Sequence, residues 1–226
     1  MLYAVNNTGD KIRPMESKGV AKDIYSGYPA TSKVKEAISM WEVSETEPEL
    51  VDPWMLPYTK WAMEWRLKFP REMVEEVLSD EKGNKHIADV CTADGTVLKF
   101  QHRHLDIVSM RKREKFFNKM RWILNASSWE MNLTAGATHY CDIHGQQLPL
   151  PQADDYTWTA YTSIRSKTIY QSCKCPVFLD FGDHLLHWIN WQGRSGLQMQ
   201  FGYNGGILKT FTKQQLLDAY TKQPTK

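Results

Sequence analysis

The sequence predicts an α/β (α+β) fold, a mixed sheet flanked by helices, and three observations carry that expectation. Between Thr59 and Ala126 the hydropathy pattern changes period in an ordered way: 3.6 residues, then three strand-like runs, then 3.6 again, then a short apolar run. Turn signals at Lys82-Gly83-Asn84 and Asp94-Gly95 punctuate the strand-like runs. With 226 residues and 42% apolar content, the chain has enough material for a sizeable core. The order helix, strand, strand, strand, helix, strand describes a layered α/β unit rather than a bundle or a sandwich.

Each element has a local reason. Thr59 is placed to cap a helix running to about Lys68, because its hydroxyl can accept from the first free amides. Trp61, Trp65 and Lys68 then share a face at i, i+4 and i+7, and Phe69-Pro70 ends the helix. Met73 to Leu78 reads as a strand. His86 to Cys91 and Thr96 to His102 read as a hairpin about Asp94-Gly95. Strand alternation sends Ala88, Val90, Leu98 and Phe100 toward the core. It leaves Asp89, Lys99 and Gln101 to share the opposite, open face. Ser109 to Met120 forms a basic amphipathic helix with Met110, Phe117 and Met120 on its apolar side, and Arg121 to Ala126 a buried strand.

The flanking regions are less regular. Leu2 to Val5 is a short strand-like piece in a weakly patterned first 50 residues, and Pro53 and Pro57 bracket a boundary. After residue 127, strand-like pieces lie at Tyr156 to Ile164, Lys167 to Gln171, Pro176 to Phe181 and Leu185 to Trp191. Asn204-Gly205-Gly206 reads as a hairpin turn, and Lys213 to Thr221 as a closing helix.

Composition excludes some classes. The net charge of +2 is uninformative, but its distribution is not. Gln101 to Ala126 holds seven Lys or Arg residues against two acids, whereas Trp41 to Asp52 holds five acids and no base. The basic stretch is either a phosphate-facing surface or a solvated helix face. Four cysteines are too few for a disulfide scaffold, and the first residues carry no apolar secretory segment. No apolar run reaches the ~18 residues that span a bilayer. The expectation is a cytoplasmic protein with no membrane partner. Nine Trp residues read mainly as core and interface anchors.

The chemistry suggested by the hairpin is metal-dependent phosphodiester cleavage. That reaction needs carboxylates to hold Mg²⁺ by the scissile phosphate, where the metal stabilises charge and activates a water. An Asp on one strand and an acid two residues before a Lys or Gln on the next aim at one metal, because side chains repeat every second residue.

The segments TKWAMEWRLKFP, KHIADV, DGTVLKFQHR and RKREKFFNKMRWILN, in that order, resemble the CoiA-like competence-protein family of the restriction-endonuclease-like PD-(D/E)xK superfamily. The resemblance covers about residues 55 to 126. A partial likeness follows in CPVFLDFGDHLLHW, residues 175 to 188. It implies a restriction-endonuclease-like core at 53–126, an N-terminal β-rich region at 1–52 and an aromatic-rich C-terminal extension at 127–226. It also implies metal ligation by Asp89, with Glu76 as a further acid, and Gln101 in the superfamily's lysine position. Arg113 would face the site or a phosphate. Arg66, His102, Arg103, Arg111, Lys112 and Lys115 complete the expected DNA-binding set.

Three positions depart from the family pattern. Lys99 stands where the family has Glu, Ala62 where it has His, and Arg103 where it has Ser. The region YSGYPATSKVKEA also lacks the cysteines of the family's zinc knuckle. An ammonium at position 99 cannot ligate Mg²⁺. At ~4 Å and an effective dielectric of ~20, one such charge interaction is worth ~4 kcal/mol. Lys99 is therefore a phosphate contact, a solvated strand lysine or a catalytic group. The sequence predicts a nuclease-like DNA-binding protein with an impaired metal site. Two alternatives stay open: an active Mg²⁺-dependent deoxyribonuclease using Asp89, Glu76, Lys99 and Gln101, and a protein-binding inhibitor or accessory module whose C-terminal region is the interface. A second ligand-like set, His139, Cys141 and His144 with Cys173 and Cys175, lacks standard finger spacing and reads mainly as buried thiols and surface histidines. His184 and His187 read as packing residues.

Overall fold

The structure is a computed structural model that describes residues 1–16, 21–35, 38–43, 51–55, 58–103, 105–128, 132–135, 140–141, 147–148, 157–162, 173–182, 185–190 and 204–221. The chain is of the α+β class, with three α-helices among the described residues and sheets that are antiparallel or mixed. It divides into two compact units, Met1–Phe100 with Ala219–Lys226, and Gln101–Asp218. No helix among the described residues is long and apolar enough to cross a membrane.

The first unit opens with β1 (Ala4–Val5), β2 (Lys11–Ile12), β3 (Ala21–Lys22), β4 (Pro29–Lys35) and β5 (Ile38–Val43), ordered β2-β1-β3-β4-β5. Helix α1 (Lys60–Arg66) follows, then β6 (Val74–Ser79), β7 (Lys85–Cys91) and β8 (Val97–Gln101), with β7 in the middle. Thr59 caps α1 as its position predicts: its side chain accepts from the Ala62 amide at 3.3 Å. Trp65 of this helix is 2% exposed, and its ring stacks on Phe100 with centroids 5.6 Å apart, while Trp61 meets Phe100 edge-on and Phe69 lies tilted against it. The turn at Gly83 and the hairpin at Gly95 both form, with φ of 80° and 76°, values that a Cβ would disfavour.

The second unit holds α2 (Ile107–Phe117), β9 (Met120–Asn125), β10 (Asn132–Ala135), β11 (Tyr140–Cys141), β12 (Gln147–Leu148), β13 (Thr157–Thr162), β14 (Val177–Asp180), β15 (Leu185–Asn190), β16 (Asn204–Phe211) and the first six residues of α3 (Lys213–Thr221). Its larger sheet runs β10-β13-β16-β15-β14-β9, and β14 lies parallel to β9. Asp106 caps α2 by accepting from the Ser109 amide at 2.9 Å. Met110, Met120, Trp122, Ile123, Leu124, Val177, Leu179 and Leu185 are all buried, and they form the apolar interior that the sequence pattern anticipates for this stretch.

Two expectations about local structure change. Asn204-Gly205-Gly206 is not a turn but the start of β16, where Thr162, Tyr161 and Ala160 of β13 lie opposite. A neighbouring strand supplies the ladder that two glycines cannot favour by themselves. The face shared by Asp89, Lys99 and Gln101 is not open, because all five residues of β8 are buried. Lys167 to Gln171, His139, His144 and His184 lie outside the described residues.

Candidate functional site

The alternation that groups Asp89 with Lys99 is correct, and it produces a buried charge cluster rather than a cleft. The paired register of β7 and β8 runs through Cys91 opposite Val97 and Val90 opposite Leu98. One step further, side chains take over from the ladder. Asp89 Oδ2 accepts from the Phe100 amide at 2.8 Å, and the Lys99 ammonium donates to the Ile87 carbonyl at 3.0 Å. Lys99 also donates to Asp89 Oδ1 at 2.9 Å, and Arg66, at the end of α1, reaches the same oxygen at 2.7 Å. Asp89, Lys99 and Arg66 are 6%, 4% and 5% exposed.

A second acid completes the cluster. Glu75, 1% exposed, accepts from the Leu2 amide with both oxygens at 3.0 Å, from the Tyr3 amide at 3.1 Å and from the Tyr58 hydroxyl at 2.6 Å. The Arg66 guanidinium carbon lies 4.6 Å from the centre of the Tyr58 ring, a cation–π geometry. Two anions and two cations thus share one buried region, so each charge removed from water has an opposite neighbour. Glu75 adopts a φ of 54°, an unusual backbone conformation for a non-glycine residue and one held in place by the four bonds its carboxylate accepts.

Electrostatics follow from this packing. Burial favours the neutral form of Asp89, but Arg66, Lys99 and the Phe100 amide outweigh it and hold the carboxyl down to about 2. Burial opposes the charge on Arg66, and Asp89, with Tyr58 and Glu75, more than restores it. Tyr58 is driven well above its ordinary value by burial and by Glu75, so its hydroxyl stays protonated and donates. The folded carboxyl of Asp89 titrates below its unfolded counterpart. Its contribution to stability is therefore present above the unfolded pKa near 4 and disappears as pH falls toward 2. The expected result is an acid limb of on the order of 2 kcal/mol between pH 5 and 2, read by urea unfolding at each pH. An Asp89→Asn variant should lack that part of the limb, and an identical limb in the variant would refute the assignment.

The structure separates other residues that the sequence grouped. Glu76 does not join Asp89: it pairs with the Lys11 ammonium, which also donates to the Val74 carbonyl at 2.7 Å. The physical reason is register. Glu76 lies opposite Ala88 and so shares that residue's face rather than Asp89's. Arg66 is not on the surface but paired with Asp89, and Arg113 is likewise buried at 4% exposure. The Gln101 side chain is buried and donates to the Arg103 carbonyl at 2.7 Å. Arg103, Lys112 and Lys115 are exposed, His102 is half-buried, and Arg111 pairs with Glu114 at 3.0 Å. Ala62 is buried in α1. His187 stacks on Phe178, with centroids 4.5 Å apart, as a packing residue does.

Glu75 and Tyr58 were missed, and one signal existed for Glu75. The turn at Lys82-Gly83-Asn84 sets Ser79 opposite Lys85, and counting back along both strands brings position 75 opposite 89. Nothing in the sequence ties Tyr58 to either residue.

The Mg²⁺ expected from the family pattern does not fit these donors. Both oxygens of Asp89 are engaged, one of them by two cations. Among the described residues, no group of three His, Cys, Asp or Glu side chains is arranged to hold a metal ion. The fold and the cluster define an α+β protein with a charge-neutral buried centre. Comparison with family models, with curated proteins and with solved structures gives no match for the chain.

Proposed function

We propose that this chain is a nuclease-like, DNA-binding protein of the CoiA-like type whose metal site is closed by its own cations. The observation that carries the reading is the engagement of Asp89 by Lys99 and Arg66, two positive charges at the carboxylate that would otherwise face a metal. The order α1, β6, β7, β8, α2, β9 supports a restriction-endonuclease-like core, because it is the helix–strand arrangement which that family implies. DNA binding is supported by the exposed Lys112 and Lys115 on α2 and by exposed Arg103. Fixed positive charge on a helix favours a phosphate backbone irrespective of base sequence.

The test has two parts. Incubation with single- or double-stranded DNA and Mg²⁺ or Mn²⁺ should produce no cutting, and cutting abolished by Asp89→Ala would overturn the proposal. A gel shift should appear at low salt and weaken as salt rises. Replacing Lys112 and Lys115 by alanine should reduce the slope of log affinity against log salt by about 2, since each lost phosphate contact removes ~0.9. Arg111 is left in place, because it balances buried Glu114. No shift at any salt would favour instead the protein-binding module.

A further inference from the structure

We propose that Met110, Cys173 and Cys175 form a soft, all-sulfur site for a monovalent copper ion. The juxtaposition is specific. The Cys173 thiol lies 3.1 Å from the Met110 thioether sulfur, although the two residues are 63 positions apart in sequence. Cys175 follows two residues later and is half-buried, and all three of these cysteine and methionine sulfurs belong to the second unit. Neither cysteine is in a disulfide.

Glu114 holds the segment in this shape. Its Oε1 accepts from the Lys174 amide at 3.0 Å and from the Cys175 amide at 3.3 Å, and also from the Trp122 indole at 3.3 Å. Its Oε2 accepts from Arg111 at 3.0 Å. The carboxylate is thus occupied on both oxygens, and it fixes the backbone between the two cysteines against α2. The backbone that carries both thiols, one residue apart, is thereby held against α2.

Donor type selects the ion. Thiolate and thioether sulfur suit Cu(I), whereas Zn²⁺ structural sites take four thiolate, imidazole or carboxylate ligands. Among the described residues no three such side chains come together, so a hard or borderline divalent ion has no set to use. On binding, Cu(I) displaces two thiol protons to solvent and is held by two thiolates and one thioether. The ion keeps its oxidation state, and no electron moves. The centre carries one net negative charge beside the Glu114–Arg111 ion pair.

The experiment is an anaerobic Cu(I) titration against the chelator bicinchoninate, on the full chain with Cys91 and Cys141 replaced by serine. This parent should withhold one equivalent of copper. Cys173→Ser and Cys175→Ser should each abolish the uptake. Met110→Leu, a volume-conserving change, should leave the melting temperature nearly unchanged and weaken binding tenfold or more. X-ray absorption of the copper-loaded parent should show three sulfur ligands, a readout that does not depend on any site variant folding. The site is refuted by no uptake in the parent, by undiminished uptake without both thiols, by full affinity in Met110→Leu, or by nitrogen or oxygen in the copper shell.

Discussion

Asp89→Ala is expected to destabilise the folded chain by about 3–5 kcal/mol, the largest effect of any single truncation in the cluster. The carboxylate accepts from Arg66, Lys99 and the Phe100 amide, so its removal strands two buried cations and one backbone donor. With total stabilities of ~5–15 kcal/mol, such a loss consumes a large part of what holds a domain together. Urea unfolding monitored by tryptophan fluorescence reads it as a lower midpoint at constant slope. A loss below about 1 kcal/mol would show that water reaches the cations and that the cluster is not a closed unit. The triple variant Arg66→Met, Lys99→Met and Asp89→Leu is the companion measurement. Replacing a whole buried ion network by apolar residues of similar volume is often neutral or stabilising, so the triple should recover most of the loss.

Lys99→Glu is expected to turn the cluster into a divalent-ion site. Two carboxylates would then face the single guanidinium of Arg66, and the variant should be markedly less stable in the presence of EDTA than the parent chain. Mg²⁺ or Mn²⁺ should raise its melting temperature with the logarithm of ion concentration once that exceeds the dissociation constant. An ion at 100 times its dissociation constant adds about 2.7 kcal/mol. The parent chain should show no such response, since its lysine already supplies the positive charge. Adding Ala62→His to the same variant should yield metal-dependent cutting of DNA. If the variant melts at the same temperature with and without Mn²⁺, Lys99 does not occupy a metal position, and the nuclease-like reading loses its main support.

Much of residues 59 to 126 is legible in sequence because the signals are local, whereas β2 to β5 carry no such signal. The Thr59 cap, the Gly83 and Gly95 turns and the alternation along β7 and β8 each depend on a few neighbouring residues. Those signals place Asp89 and Lys99 on one face. They do not say what covers that face, so the expectation of an open site was overturned by the burial of every residue in β8. Glu75 and Glu76 are both acids on one strand, and telling which of them joins Asp89 requires the register against β7. The glycine pair at the head of β16 was misread for a related reason: glycine favours a turn locally, and only a partner strand overrides it.

By itself, the sequence determined the order of elements from α1 to β9 and the strand period that groups Asp89 with Lys99. The tertiary structure decided the rest. It brought Arg66 from α1 and Glu75 with Tyr58 into the same buried region, turned Glu76 toward Lys11, and placed Met110 against Cys173 across 63 residues. The physical reason is range. Caps, turns and side-chain alternation are fixed within a few residues. The pairing of buried charges and sulfurs depends on which distant segments share one desolvated volume, a choice made by packing the whole chain.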